Sequence, residues 1–271
     1  MKNESKTSKR AVFVLGHKGG TGKTLFARAL LDRYQRDQTP VVAYDGDGEV
    51  GQLIQYYGVR TPEGGLSGDQ PLYGGIQYCE MRKPEGASRV IDALDHGAER
   101  LLFDLPGGIM NEIASGISDT ATGADLIAEY RSAGYAVTIA LVLSPVLASA
   151  KNVMRAIREF GADADYVVVL NAFFGQTVPD DTDFLFYYGF RDGTGTTRGG
   201  EGRAEFKARG GIELVMPMMR SRVFSQIDAD SLSFDAAQSD PRLVRSIQRH
   251  ITDWVRRFDT ELDKAGKLLG L

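Results

Sequence analysis

The chain has 271 residues, of which 42% are hydrophobic and 25% charged, which excludes wholesale disorder and collagen-like repeats. With 32 Lys and Arg against 36 Asp and Glu the net charge is −4, so bulk charge does not hold this protein on nucleic acid, and any such contact needs a local basic patch. A single cysteine, Cys79, excludes an intrachain disulfide framework and any CxxC site, and fits a cytosolic compartment.

Residues 1–10 are polar and charged, without the apolar core of a secretory signal, and read as a flexible tail. A short apolar run follows from Ala11 to Leu15, then a glycine-rich turn from Gly16 to Gly22, then helical spacing from Lys23 to Arg36. Val41 to Tyr44 is a second apolar run, ending in Asp45-Gly46-Asp47. A weaker helix is expected over Val50–Tyr57, a strand over Ile76–Met81 and a helix over Ala87–Leu94. Leu101-Leu102-Phe103 runs into Asp104, Pro106, Gly107 and Gly108. Further on, helices are expected at Ala124–Ala133 and Ala148–Phe160, with strands at Ala136–Leu143 and Tyr166–Leu170, the latter closed by Asn171. The pattern then breaks down over 175–211, where eight glycines fall in the 23 residues from Gly189 to Gly211, and this stretch reads as an insertion or mobile loop. Ile212–Met216 is one more strand, and Arg242–Leu269 a long amphipathic helix or helix pair.

Alternating short apolar runs and helical segments mark an α/β fold, a mostly parallel sheet with helices on both faces, and one domain over 11–271. In such sheets ligands bind at the carboxyl ends of the strands, and Lys23, Asp47, Asp104 and Asn171 all follow strand ends.

Gly16-His17-Lys18-Gly19-Gly20-Thr21-Gly22-Lys23-Thr24 is a phosphate-binding loop. Glycines let successive backbone N–H groups point inward, and the helix that follows adds its dipole. Lys23 supplies a point charge to the outer phosphates, and Thr24 a hydroxyl to Mg²⁺. His17 stands where the strict motif would not place it, and Lys18 precedes the glycine pair.

This form resembles the deviant Walker A motif of the ParA/MinD family of ATPases, over most of the chain from Ala11 to about Pro217. The resemblance implies a P-loop ATPase fold, ATP and Mg²⁺ as ligands, and a homodimer that forms with ATP, in which Lys18 reaches the partner's nucleotide. It implies that Asp47 orients the attacking water, that Asp104 ends a Walker B strand and holds Mg²⁺ through water, and that Thr24, Asp47 and Asp104 make up the metal set. Asn171 is expected to read adenine, with Met216-Pro217 lining the base. Gly19, Gly20, Thr21, Gly22, Lys23, Thr24 and Leu25 are expected to wrap the phosphates. Leu25 replaces a second threonine common in the family, and Gly48-Glu49 follow the Asp pair where Pro-Gln is usual.

The family implies a partition-type switch serving plasmid segregation or conjugal transfer, with nonspecific DNA and an adaptor protein as partners and a place on the nucleoid. From Arg242 onward there are seven basic against four acidic residues, with Arg220 and Arg222 just upstream. Ten residues before the first strand leave no room for a helix-turn-helix reader. A MinD-like membrane-surface ATPase is the alternative, needing an amphipathic anchor in Leu262–Leu271, which is short and lacks an aromatic residue, so a membrane partner is not expected. A ligase of the dethiobiotin-synthetase or cobyrinate-amidase type shares the fold but generally lacks the Lys-Gly-Gly lead. His17, His96 and His250 have no ligand spacing, so no zinc site is expected, and Trp254 is expected to pack within its helix.

Overall fold

A computed structural model describes residues 9–47, 52–174 and 183–271. The first elements are β1 (Lys9–Leu15), α1 (Lys23–Arg36), β2 (Val42–Asp45), α2 (Gln52–Tyr57), β3 (Ile76–Tyr78), α3 (Pro84–Asp92), β4 (Arg100–Asp104) and α4 (Gly123–Ser132). There follow β5 (Tyr135–Leu143), α5 (Leu147–Phe160), β6 (Asp165–Asn171), α6 (Leu185–Tyr188), β7 (Phe190–Arg191), β8 (Thr197–Arg198) and α7 (Glu201–Ala208). The chain ends with β9 (Ile212–Met216), α8 (Ser221–Ala229), α9 (Phe234–Ala237), α10 (Arg245–Lys264) and α11 (Gly266–Leu269).

Seven strands form one parallel sheet in the order β3-β2-β4-β1-β5-β6-β9. Alternate residues of each strand face opposite sides, and both sides are covered. Ala11, Phe13 and Leu15 join a core built with Val90 of α3, Leu126 and Tyr130 of α4 and Val153 and Phe160 of α5. Val12 and Val14 join the other, built with Phe26 and Leu30 of α1, Ile227 of α8 and Ile251, Trp254 and Phe258 of α10. Trp254 thus packs inside its helix bundle.

Register is fixed at the centre by an aromatic ladder. Phe13 lies opposite Phe103, and Phe103 opposite Tyr44. The ring pairs stack with centroids 4.7 and 4.6 Å apart. Cross-strand aromatic pairs contribute about 0.2–1 kcal/mol each. They also hold the carboxyl ends of β1, β4 and β2 level with one another.

Two sequence expectations change here. The tail boundary at residue 10 moves, because β1 starts at Lys9 and Arg10 is buried. Residues 1–8 lie outside the described residues. Arg10 enters the sheet because it has partners: Nη1 donates to Thr138 Oγ1 at 2.6 Å, to Asp165 Oδ2 at 2.7 Å and to the Leu268 carbonyl at 3.2 Å. The 175–211 stretch is ordered secondary structure over its described part, 183–211: a hairpin of β7 and β8 between α6 and α7, with Phe206 of α7 in the core. Its glycines serve geometry; Gly199 has φ +73°, and a Cβ there would stand 2.4 Å from the Phe186 carbonyl. The helix expected over Val50–Tyr57 is present from Gln52 to Tyr57; Val50 and Gly51 lie outside the described residues.

The carboxyl-terminal turn is pinned beneath the sheet. Thr138 and Arg10 donate to the Leu268 carbonyl, Tyr34 to that of Leu269, and Arg100 Nε to that of Gly270 at 2.8 Å. Leu262, Ala265 and Leu269 are buried in the core. Replacing Arg10 by Met removes a donor from three acceptors, of which the Leu268 carbonyl keeps the Thr138 hydroxyl. We expect a loss of about 2–4 kcal/mol in stability, read as a lower urea midpoint.

Candidate functional site

The loop between β1 and α1 closes over the carboxyl end of the sheet. Gly20 and Gly22 have φ of +76° and +99°, which side chains rarely tolerate. At Gly22 a Cβ would also stand 2.4 Å from Asn171 Nδ2 and 2.9 Å from Met216 Cε. Gly22 opens α1 without a side-chain cap, and the first turn carries no acid. The free N–H groups and positive end of the dipole therefore face outward, suited to an anion.

Lys23 is buried, and its Nζ donates to the Lys18 carbonyl at 3.2 Å. Burial lowers its pKa, while Asp104 and Asp47 act to raise it. Lys18 itself is exposed. Thr21 is buried, with its hydroxyl toward the Lys18 carbonyl at 3.5 Å. His17 has a buried Nδ1 without a partner and a pKa lowered by burial and by the two lysines.

The two aspartates after β2 divide the work. Asp45 is fully buried; its Oδ2 accepts from Ile54 N at 2.9 Å, near the start of α2, and its Oδ1 from Asp47 N at 3.3 Å. It is a structural residue that shapes the turn. Asp47 lines the cavity above the loop.

Asp104 ends β4 opposite Val14 of β1. Both of its carboxylate oxygens are buried without a hydrogen-bond partner. Burial raises its pKa to about 7; Asp45 adds to the rise, while the nearby Thr24 hydroxyl and Lys23 oppose it. The Thr24 hydroxyl lies close enough to stabilise the charge, but neither carboxylate oxygen completes a well-formed bond. Beyond it, Gly107 lies directly on the phosphate loop: a Cβ there would stand 2.3 Å from the Lys18 carbonyl carbon. Gly108 N donates to the Gly16 carbonyl at 3.2 Å.

A cavity of about 610 Å³ opens over this ensemble. Gly19, Gly20, Gly22, Lys23, Thr24 and Asp47 line one end. Leu25, Arg28, Gln52, Asn171, Phe173, Met219, Ser221, Phe224 and Ser225 line the other. The size suits a small organic ligand. A larger groove of about 910 Å³ lies between β9, α8 and α10 and contains none of the loop residues.

Asn171 is where the sequence places it, but its amide is engaged: Nδ2 donates to the Thr21 carbonyl at 2.9 Å, and Oδ1 accepts from Phe173 N at 3.0 Å. Met216 is buried below Gly22 and does not line the cavity. Pro217 lines the larger groove, and its carbonyl accepts from Trp254 Nε1 at 2.7 Å. Of this segment it is Met219, two residues beyond Pro217, that lines the cavity. Arg28, Gln52, Phe173, Met219 and Phe224 were not foreseen. Arg28 stands among Leu25, Phe26, Ala29 and Leu30 on the apolar side of α1, and a charge there is the signal that could have pointed to it.

The Asp104 carboxylate makes stability depend on pH. In the unfolded chain the group titrates near pH 4. Between about pH 4 and pH 7 the folded protein holds a proton that the unfolded chain has lost, so this group's contribution is full below that window, falls through it and is flat above it. Asp104→Asn is expected to raise the melting temperature of the ligand-free protein above pH 7 by on the order of 5 °C. The gain should vanish below about pH 4, as followed by scanning calorimetry across pH.

No family model and no curated protein matches the chain. Among solved structures, it is similar to MinD cell division protein from Aquifex aeolicus, at 14% identity, 94% of this chain and 98% of that one, with a TM-score of 0.44. It is similar to a ParA family ATPase from Chlorobium tepidum TLS, at 13% identity, 92% and 99% coverage and a TM-score of 0.47. It is also similar to a nucleotide-binding protein in complex with ADP from Archaeoglobus fulgidus, at 16% identity, 82% and 87% coverage and a TM-score of 0.42.

Proposed function

We propose that this chain is a nucleotide-driven switch that binds ATP with Mg²⁺ at the 16–24 loop, dimerises around it and hydrolyses it. The observation that carries this reading is the buried Asp104 carboxylate beside Lys23 and Thr24, which among the described residues has only the Thr24 hydroxyl close by and no well-formed hydrogen bond to either oxygen. A buried carboxylate without partners is costly unless a cation shares the site. Among the described residues no three His, Cys, Asp or Glu are grouped to hold a metal alone. That suits Mg²⁺, which takes few protein ligands and completes its shell with phosphate oxygens and water. Thr24 and Asp104 would hold it, with Asp47 at the rim; when bound, it neutralises phosphate charge.

In this reading Lys23 leaves the Lys18 carbonyl for the outer phosphates, and the N–H groups from Gly19 to Thr24 cradle them. Asp47 positions the attacking water. Lys18, exposed beside the loop, is free to reach the nucleotide of a second copy. Gly107, seated on the loop, senses whether the terminal phosphate is present. Isothermal titration with Mg-ATP tests this. Lys23→Ala should weaken binding by about a hundredfold or more. Lys18→Ala should keep binding but lose ATP-dependent dimers in light scattering; retained dimers would remove the trans role.

The cellular role proposed is plasmid partition or transfer, with nonspecific DNA and an adaptor as partners. Supporting it, α10 turns its apolar stripe to the sheet and its arginines outward. Several of the basic residues are already occupied: Arg256 and Arg257 pair with Asp253, Arg242 with Asp230 and Asp240, and Lys264 with Glu261. Arg245 and Arg249, one turn apart and exposed, form no ion pair among the described residues. They line a shallow depression with Arg256. Arg245→Ala with Arg249→Ala should therefore reduce the salt slope of DNA binding by about two, and Arg256→Ala by less, in fluorescence titrations at several salt concentrations. The burial of Leu262, Ala265 and Leu269 in the core weighs for this reading over the membrane-surface alternative.

A further inference from the structure

The turn after β3 carries a cation that the reading above leaves without a task. Met81 is buried, and its N–H donates to the Gly46 carbonyl at 3.3 Å. A Cβ on Gly46 would stand 3.0 Å from both Met81 Cγ and the Asp104 carbonyl oxygen. Met81 thus seats this turn on the carboxyl ends of β2 and β4, beside the Asp45-Gly46-Asp47 segment. Arg82 is the next residue, and it is exposed. Its Nη2 donates to the Gly107 carbonyl at 3.4 Å, a long bond. The acid within the turn is already taken, since Glu80 pairs with Lys83 at 2.6 Å. Among the described residues no carboxylate forms an ion pair with Arg82.

The resting place of Arg82 ties it to the phosphate loop. A Cβ on Gly107 would stand 2.3 Å from the Lys18 carbonyl carbon, and the Lys18 carbonyl is the acceptor of Lys23 Nζ. Arg82 and Lys23 therefore rest on two backbone segments that touch each other. Their charges feel one another: burial does most to lower the Lys23 pKa, and the Arg82 charge adds to the fall, while Asp104 and Asp47 oppose it. Two cations held together repel, and an anion of several charges placed between them turns that repulsion into attraction. Each now donates to a neutral carbonyl, a weaker acceptor than a phosphate oxygen. Arg82 stands outside the cavity wall, beyond the end formed by Lys23 and Asp47. That is the end where the outer phosphates belong.

We propose that Arg82 is a further catalytic residue of this site, which leaves the Gly107 carbonyl for the terminal phosphate when Mg-ATP binds. This rests on the nucleotide reading of the cavity. In hydrolysis the water oxygen bonds to the terminal phosphorus, the bond to the bridging oxygen breaks, and its electron pair stays on the diphosphate. One water proton remains on the released phosphate and the other passes to solvent. Negative charge gathers on the transferring and leaving oxygens on the way. A planar guanidinium meets two such oxygens with parallel bonds, which a lysine ammonium does not. Arg82 approaches from the turn after β3 and Lys23 from α1, so the two cations neutralise that charge from separate elements.

The test is single-turnover hydrolysis of Mg-ATP by the intact protein, with a parallel binding titration. Arg82→Ala should slow the hydrolysis step by about tenfold or more, while the ATP dissociation constant moves by less than about threefold. Arg82→Lys, charged but without the fork, should recover part of the rate. ATP-dependent dimers should persist in light scattering for both variants, which separates Arg82 from Lys18. A wild-type rate in Arg82→Ala overturns the proposal, as does a slower step that comes with loss of dimers or an equal loss of binding. Because Arg82 is exposed, both variants should keep the wild-type melting temperature. Should Arg82→Ala fail to fold, Arg82→Lys decides: a full wild-type rate overturns the proposal, and a reduced rate with intact dimers and binding supports it. Wild-type protein that does not bind Mg-ATP overturns the nucleotide reading itself, a result seen without any variant and so distinct from a failure of Arg82.

Discussion

The pairing of Val14 with Asp104 across β1 and β4 is the contact on which the rest depends. It puts a carboxylate under the phosphate loop, and it does so because the strand register leaves no other choice. A one-residue slip of β4 would turn Asp104 toward the opposite face and expose the aromatic face of Phe103 to the wrong layer. The Phe13–Phe103–Tyr44 stack holds that register from one side of the sheet. On the carboxyl side, Gly46 N donates to the Asp104 carbonyl at 2.8 Å and Leu105 N to that of Val14 at 3.3 Å. Three strand ends are thereby tied into one platform before any ligand arrives.

That platform is electrostatically unfinished. Lys23, Asp45 and Asp104 are all buried, and burial pushes each of their pKa values toward the neutral form. Asp45 is compensated by two backbone N–H groups. Lys23 has one carbonyl, and among the described residues Asp104 has only the nearby Thr24 hydroxyl. A core made only for stability would not keep such groups, because apolar residues of equal volume fit at lower cost. The two hydrophobic clusters on either side of the sheet carry that burden. The same logic covers Gly107: close contact with the loop gives the segment after β4 no tolerance for a side chain, so loop and segment must move together.

What the sequence disclosed was mostly local. A glycine-rich turn between an apolar run and a helical run, and carboxylates directly after strands, are decided within a few residues, and they fall where expected. What it hid was set by distant partners. Arg10 reads as tail because it is charged and closes the polar stretch before Ala11; its acceptors are Thr138, Asp165 and Leu268. The far wall of the cavity combines α1, α2, the turn after β6 and α8, and no spacing rule joins Leu25 to Phe224. Met216 and Pro217 were assigned by position in a motif, whereas side-chain direction decides: Met216 points under Gly22, and the chain reaches the cavity only at Met219. In 183–211 a high glycine content suggested irregularity, but the glycines are what allow a tight hairpin to pack against α6.

Met219 joins the two halves of the molecule. It lines the nucleotide-sized cavity on one side and the larger groove on the other. Two residues earlier, the Pro217 carbonyl is held by Trp254 of α10. Trp254 in turn packs against Phe234 and Phe258, with ring centres 4.9 and 5.3 Å away. Phe234 borders the Arg28 guanidinium. The cavity is therefore connected to α10 along two routes, one through Met219 and Pro217 and one through Arg28 and Phe234. Because packed interiors shift between discrete arrangements rather than deform smoothly, a ligand that displaces Met219 or engages Arg28 acts on the helix that carries Arg245 and Arg249. Trp254 thus stands between the cavity wall and the face of α10 that carries Arg245 and Arg249.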